Sequence, residues 1–518
     1  MSRYRAIRKP SARAARHGVV LVVVLVAVAL LSLAAAIFAQ LMFAEREAVF
    51  VHGRGVQSRS LVDSGVSWID QQVILDPETL RQAGGLYNNP ALFQGVIVLD
   101  DTVPRDRGRF TVLTPDVLEG GLAGFRYGLE NESARLNLNA LLLIDKLSTD
   151  SGRNLLMGLP GMTTDVADAI LDWIDPDDTQ RDFGAESDAY SGLVPAYAPK
   201  NGPLETVEEL LLVRGVTPWL LFGADADRNG LIEPHEGASG ASIAGVDNSD
   251  GSLDRGWSAY LTLYSQESDL DPDGQPRIDL NGSDLEQLHE DLSALFPEDW
   301  ATFIVAYRQS GPFSGMDSVI TQEVAGRGVD LARPGNTRLN TVLDLVGAKV
   351  QATFEGLQEP IVVESPFSDV PGEMDSYLPE LLDHVTVNPK PTIPGRINVN
   401  QASRTVLLGI PGLEPDVVQR ILSERDPEPG DDKPGRRHET WLLSEGLVTL
   451  DEMKKLMPFV TVGGSVYRAQ VIGYFDASGP STRAEIVLDA TTAPPRLVFW
   501  RDLSHLGRGY TPETLGIQ

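Results

Sequence analysis

The 518-residue sequence predicts an α+β fold: a long N-terminal hydrophobic helix leads into an antiparallel β body that carries large, mostly α-helical inserted domains. Three observations carry this reading. An apolar run from Val19 to Ala39 passes into a helical pattern. Strand-like segments lie near residues 95–128 and again after residue 458, on either side of a helical middle. Within that middle, two Pro-Gly turns are each followed by apolar residues at helical spacing, as in helix-hairpin-helix units.

The apolar run comes first. Arg3, Arg5, Arg8, Lys9, Arg13 and Arg16 precede it with no acidic residue among them, and Ser32 is its only polar side chain. A 20-residue helix is about 30 Å long, the thickness of a bilayer's hydrocarbon core. The basic flank favours a cytoplasmic N-terminus, which sends everything after Ala39 across the membrane. A secretory signal cut after Ala34-Ala35-Ala36 and a plain anchor are two readings of the run. Its apolar character continues through Ile37, Phe38 and Ala39 and resumes at Leu41-Met42-Phe43, longer than the roughly 7–15 residues of a signal's core. The third reading is cleavage after Gly18, which leaves the helix on the mature protein with Val19 first. A short basic leader ending in Gly before such a helix resembles the precursors of type IV pilin-like proteins. Most of that superfamily carry Glu at the fifth mature position; here it is Val23.

Composition narrows the function. Lys and Arg number 43 against 73 Asp and Glu, a formal charge of −30. Such a surface repels phosphate backbones, so no nucleic-acid partner is expected, but it suits divalent cations. With no cysteine, disulfide, iron–sulfur and zinc–thiolate sites are excluded, and calcium is the candidate staple for an extracytoplasmic chain. Apolar residues make up 42%, enough for real cores.

From Glu45 to about Ile74 the pattern stays helical and extends the stalk. Gly95–Leu99, Arg109–Leu113 and Gly124–Gly128 read as strands, and so do Pro458–Val462, Val466–Ile472, Arg483–Leu488 and Arg496–Trp500 at the far end. Both sets are expected in one sheet, with the helical middle inserted. Arg135-Leu-Asn-Leu-Asn139, Arg277-Ile-Asp-Leu-Asn281 and Arg396-Ile-Asn-Val-Asn400 each open a helical stretch, which marks related units, one of them an insertion. Gly158-Leu-Pro-Gly-Met162 and Gly409-Ile-Pro-Gly-Leu413 are the hairpin turns. In DNA-binding hairpins the turn's N–H groups face a phosphate, so a membrane-anchored, competence-type DNA-binding protein is the alternative function. Asp165, Asp168, Glu414 and Asp416 beside the turns favour a purely structural role. The segmentation is 1–18 leader, 19–43 membrane and stalk helix, 44–130 first part of the body, 131–221 helical domain with acidic loops, 222–390 calcium-loop and helical insertion, 391–457 second hairpin unit, and 458–518 C-terminal strands.

The sharpest local motif runs from Asp225 to Glu236. It places Asp225, Asp227 and Asn229 at positions 1, 3 and 5 of a twelve-residue calcium loop, Gly230 at the turn, the Leu231 carbonyl at 7 and a bidentate Glu236 at 12. A hard cation needs six to eight oxygens, so the chain must wrap around it. Pro234 and the glycines after Glu236 make this an isolated binding loop with no long helix after it. A second acidic group runs from Asp172 to Asp188; its candidate ligands are Asp175, Asp177, Glu186 and Asp188, which repel one another unless a cation intervenes. Looser runs are Asp247–Asp254 and Asp269–Gly274. Seven histidines without a partner pattern, and no Gly-x-Ser-x-Gly, His-Glu-x-x-His or phosphate-binding glycine loop, point away from an enzyme and toward a structural protein.

Together these residues resemble the family of general secretion pathway protein K, the large minor pseudopilin of type II secretion. Gly18, Val23, Leu136-Asn-Leu-Asn139, Asp172-Trp-Ile-Asp175, Gly184-Ala-Glu186 with Tyr190, Leu204-Glu-Thr-Val-Glu-Glu-Leu210, Arg396–Asn400 and the last strands carry the likeness. Residues 222–390 fit it poorly. The resemblance implies a pilin-like β body, prepilin peptidase cleavage after Gly18 and methylation of the Val19 amine. It implies calcium in the helical domain and assembly with other minor pseudopilins and the major pseudopilin, at the tip of a periplasmic pseudopilus rooted in the inner membrane. Secreted cargo is a further implied partner. A tip subunit has none above it, which fits the absence of Glu at Val23.

Overall fold

In the computed structural model, residues 17–117, 123–237, 248, 251–315, 319–430, 433–477 and 479–517 are described. The leader residues 1–16, and Asp247 and Asp250 of the third acidic run, lie outside them.

Helix α1 (His17–Val73) is unbroken and changes character along its length. From Gly18 to Gly53 every residue is exposed, and this is the one helix among the described residues long and apolar enough to cross a membrane. Beyond that point Ser58, Leu61, Val62, Gly65, Ile69 and Gln72 are buried at spacings of three and four, the stripe of a helix lying on a core.

That stripe rests on one antiparallel sheet. Its strands are β1 (Val96–Leu99), β2 (Gly108–Val117), β3 (Ala123–Arg126), β4 (Glu130–Asn131), β5 (Val466–Phe475), β6 (Thr482–Asp489) and β7 (Arg496–Asp502). The order is β1-β2-β5-β6-β7, with β3 also on β2 and β4 also on β5. Central strands β2 and β5 pair from Gln470 opposite Leu113 to Phe475 opposite Gly108, so residues 132–465 are carried between two strands of one sheet. Alternation along the strands sorts the two faces. Phe110, Val112, Ala469, Val471, Ala484 and Ile486 pack with Val62 and Ile69 of α1. Leu113, Ile472 and Tyr474 point the other way and are covered by Tyr510 and Leu515 of the C-terminal tail. The α+β class read from the sequence is borne out.

Two glycines set the distance between helix and sheet. A Cβ at Gly65 would lie 2.6 Å from Val471 Cγ1, and one at Gly473 would lie 2.2 Å from the Ser58 carbonyl. Neither place has room for a side chain.

The inserted part contains helices α2 (Ser151–Met157), α3 (Thr164–Ile174), α4 (Leu285–Leu295), α5 (Glu298–Ser310), α6 (Arg404–Leu408) and α7 (Pro415–Glu424). Helices α2 and α3 flank the first Pro-Gly turn and α6 and α7 the second, each pair in contact, and the two pairs back onto each other. A Cβ on Gly158 would lie 2.6 Å from Gly409 Cα, and one on Gly409 would lie 2.7 Å from the Leu155 carbonyl. Residues 222–390 are not only helical: Lys349–Ala352 and Ile361–Glu364 form a β-hairpin. The Pro458–Val462 segment is not the first strand of the C-terminal meander. Only Val460–Thr461 is extended, and it pairs in parallel with Ile397–Asn398. Val460 is buried in the helical core and Thr461 is buried as well, so no exposed–buried alternation marks the sheet of this two-residue strand.

Gly65→Val is expected to destabilise the protein by about 1–3 kcal/mol, the usual cost of overpacking. The exposed Ser67→Ala is expected to be near neutral; urea unfolding of both variants checks the pair.

Candidate functional site

The loop from Asp225 to Glu236 folds around its own acidic side chains. The two Asp225 oxygens accept the N–H groups of Asn229 at 3.1 Å and Gly230 at 2.9 Å, and Asp227 accepts the Asn229 N–H at 3.0 Å. From the other end, Glu236 accepts the N–H groups of Ala226 at 2.8 Å and Glu233 at 3.1 Å. The result brings carboxylate oxygens of Asp225, Asp227 and Glu236 within 4.8 Å of one another; Glu233, His235 and Glu236 form a second such trio. Gly230 is needed twice over, for its φ of +76° and because a Cβ there would lie 2.1 Å from Pro115 Cβ.

Asn229 and Leu231 take different places. Asn229 is fully buried; its amide donates to Asp227, Glu233 and the Gly509 carbonyl, while its side-chain oxygen accepts the Leu231 N–H at 2.6 Å. Leu231 packs its side chain against the cluster under the C-terminal tail. Glu236 itself stands in the short helix Pro234–Gly237, and residues 238–247 lie outside the described residues.

The electrostatics are those of acids pressed together. Burial pushes the Asp225 carboxyl up to about 6, with Asp227 and Glu236 adding repulsion. Asp227 is raised as well, chiefly by burial. In the Glu233–Glu236 pair, burial raises both. Hydrogen bonds to Glu236 outweigh it there, so Glu236 is the ionised partner and Glu233 the one that keeps a proton longer.

Three consecutive carbonyls of this loop are held by the β body. Arg483 donates to the Asp227 carbonyl, Gln470 to that of Arg228 at 2.7 Å and the Tyr510 hydroxyl to that of Asn229 at 2.8 Å. Arg483 and Gln470 stand on β6 and β5, so the loop joins the inserted part to the sheet.

A second centre lies at the end of α3. Its acidic residues are mostly matched by arginine. Asp168 pairs with Arg153 at 2.6 Å. Asp172, fully buried, accepts Arg181 at 2.9 Å and the Ala185 N–H at 2.8 Å. Arg181 also reaches Asp175 at 2.5 Å. Gly184 lets the loop close over Asp172, since a Cβ there would sit 1.8 Å from Asp172 Oδ2. Left over are Asp175 Oδ1 and both oxygens of Glu186, buried and without a hydrogen-bond partner. Burial, with repulsion from Asp172 and Asp175, pushes Glu186 up to about 7.

Of the four candidate ligands in this group, then, the structure gathers Asp175 and Glu186. Asp177 is exposed and caps the Thr179 N–H at 2.8 Å, and Asp188 is exposed in the short helix Ser187–Ser191. Sequence reasoning missed Arg181, the internal cation; a lone arginine among seven carboxylates was the available signal. The fourth acidic run is spent on protein bonds. Asp269 pairs with Arg277 and accepts the Thr386 hydroxyl, and Asp271 caps Asp273 and Gln275.

At the membrane end, Gly18, Val19 and Val23 lie in the first turns of α1, with Val19 65% and Val23 60% exposed. At the first hairpin turn, the Pro160 carbonyl accepts the indole N–H of the fully buried Trp257 at 2.8 Å, so that turn is plugged into the protein's own core.

Residues 134–221, which contain α2, α3 and the Asp175–Glu186 centre, match the family Type II secretion system (T2SS), protein K. The resemblance read from the sequence is borne out over this module, which is under a fifth of the chain. The Asp225–Glu236 loop begins just beyond it. No curated protein matches the chain. Among solved structures the chain is similar to one in the GspK-GspI-GspJ complex from the enterotoxigenic Escherichia coli type 2 secretion system. The identity is 11% and the TM-score 0.37, with 89% of this chain and 98% of that chain covered.

A carboxyl that titrates near 4.5 in the unfolded chain and about 7 in the folded one favours folding below the lower value. That contribution is lost as pH rises through the upper one. In chelator-treated protein, stability is therefore expected to decline between pH 4.5 and 7, and Glu186→Gln to make the decline shallower. Melting temperatures across that window measure both slopes.

Proposed function

We propose that this chain is a K-type minor pseudopilin of type II secretion, a non-catalytic subunit that anchors in the inner membrane and takes part in pseudopilus assembly. The observation that carries the reading is the coupling of two features: a module matching protein K, and an α1 that runs unbroken from an all-round apolar half onto the sheet bearing that module. The N-terminus is cytoplasmic and the bulk of the chain periplasmic, as the basic flank of α1 favours.

Prepilin peptidase cleaves after Gly18, and the Val19 amine is methylated. The subunit assembles with other minor pseudopilins and the major pseudopilin. It sits at the tip and helps start assembly, in protein export across the outer membrane, with secreted cargo as a further partner. Val23 supports the tip position, because a subunit with no neighbour above needs no Glu to pair with that neighbour's amine. The bulk of residues 132–465 supports it too.

Calcium is the cofactor that both acidic centres fit. In one, Asp225, Asp227 and Glu236 converge, with the Leu231 carbonyl and Asn229 as candidate further donors from the same loop. In the other, the unpartnered oxygens of Asp175 and Glu186 offer a hard cation what arginine does not supply. The role is structural: a divalent charge among these carboxylates offsets the burial and the repulsion that raise their protonation.

N-terminal sequencing of the protein made beside a prepilin peptidase is expected to begin at methylated Val19; any other start overturns the assigned cut. Ion binding that favours the native state adds about 2.7 kcal/mol at a hundredfold excess over Kd. EDTA is therefore expected to lower the melting temperature by several degrees. Asp225→Asn with Glu236→Gln should remove part of that response, and Glu186→Gln another part; an EDTA-insensitive parent chain refutes both centres.

A further inference from the structure

The Arg-x-Asn/Asp-x-Asn repeat is more than a local likeness, because the structure gives all three copies one set of bonds. The central Asn137, Asp279 and Asn398 each accept the N–H two residues on, from Asn139 at 3.0 Å, Asn281 at 2.8 Å and Asn400 at 2.9 Å. The two-residue strands they stand on pair in parallel with Leu261–Thr262, Val385–Thr386 and Val460–Thr461. Every one of these closing strands ends in threonine. The hydroxyls of Thr262, Thr386 and Thr461 donate to Glu132, Asp269 and Glu267, and each accepts the N–H two residues on at 3.0 Å. Arg135, Arg277 and Arg396 each pair with an acid beside the strand, respectively Glu130, Asp269 and Glu267.

The first two copies share a further device. Asn139 and Leu204 bond each other both ways, as do Asn281 and Leu339, and a capping box follows each, Thr206 with Glu209 and Thr341 with Asp344.

The middle copy stands apart in three respects. It is attached by a neck, since Gln266–Ser268 and Thr392–Pro394 pair antiparallel on either side of it. It carries an aromatic cluster of its own within the shared apolar core, with Trp300 stacked on Phe296 at 5.3 Å and edge-on to Phe367 at 4.9 Å, and Phe367 beside Tyr377 at 5.5 Å. It also lacks the residue that pairs the other two copies. Where they read Gly158-Leu-Pro and Gly409-Ile-Pro, it reads Leu295-Phe-Pro, with Leu295 50% exposed. Backbone-to-backbone contact of the Gly158–Gly409 kind is closed to it.

We infer that residues 269–391 are a third copy of the helical module, grafted through the 266–268/392–394 neck, which folds around its own aromatic cluster and is not needed by the β body or by the paired first and third copies. Its contacts with the third copy include the polar pair His438–Asp383 at 2.8 Å, with Arg437 3.9 Å from the same carboxylate. The graft is an accessory head module, and the scaffold is complete without it. This holds whether or not the chain is a pseudopilin.

The test uses the full chain in detergent, with residues 269–391 replaced by a four-residue Gly-Asn-rich turn across the neck. The expected result is cooperative unfolding with a melting temperature within about 3 °C of the parent. The second measurement is limited proteolysis of the unaltered chain, expected to cut at the neck and release a fragment of residues 269–391 that resists further digestion. A deletion chain without a cooperative transition overturns the inference, and so does a released fragment degraded as fast as an unfolded peptide.

Discussion

Strands β2 and β5 hydrogen-bond from Gln470 opposite Leu113 to Phe475 opposite Gly108, and that ladder makes one body of the two ends of the chain. The lower half of α1 lies across the same two strands, and it comes close only because Gly65 and Gly473 carry no side chain. The inserted residues leave the sheet beside β4 and return at β5, which are themselves paired, so the head is held by two adjacent chain crossings. It is pinned elsewhere too. Glu428, in the loop after the second hairpin, accepts the N–H groups of Leu86 at 2.7 Å and Tyr87 at 2.9 Å. A helix that pulls on the sheet therefore pulls on the head at several points.

A chain of net charge −30 that buries carboxylates needs a consistent way to neutralise them. Arginine does most of it. Arg468 lies between Glu132 at 2.5 Å and Glu485 at 2.8 Å; Arg396 lies between Glu267 and Glu439. Glu130 and Glu485 stay below the ordinary carboxylate range, burial being outweighed chiefly by Arg135 at Glu130 and by Arg468 at Glu485. Asp225 and Glu186 are different. Arg255 attracts Asp225 without an ion pair, Glu186 has no partner, and burial pushes them up to about 6 and about 7. The contrast is what singles them out. Acidic density is high in many stretches of the sequence; at Asp225 and Glu186 no arginine pairs with the buried carboxylate, and burial leaves a demand that a divalent cation would meet.

The long-period features were legible in the sequence. Val466–Phe475 is a long run rich in aliphatic and aromatic residues, α1 shows its apolar run and then its spacing of three and four, and the two tight turns announce themselves by Pro-Gly. The closing strands were not legible. Leu261–Thr262 and Val385–Thr386 are two residues long and buried on both sides, so no periodicity exists to find, and Val460–Thr461 was assigned to the wrong sheet for the same reason. In the acidic centres the spacing of Asp225, Asp227 and Glu236 suffices, because one loop brings them together. Spacing failed in the Asp172–Asp188 stretch, where Arg181 decides which carboxylates are already satisfied and where Asp177 and Asp188 turn to solvent. Such information lies in three-dimensional pairing and not in the order of residues.

Position separates the two acidic centres in what a bound cation would do. Asp175 and Glu186 belong to one module and lie near the end of its core helix α3; a cation there would act on that module. The Asp225–Glu236 loop has its acidic side chains turned inward and its Asp227, Arg228 and Asn229 carbonyls turned outward to Arg483, Gln470 and Tyr510. Fixing the side chains on a cation fixes the carbonyls as well, since the same backbone carries both. An ion held by that loop would therefore set the geometry of the joint between head and body, at one of the places where the insertion meets the strands that α1 holds.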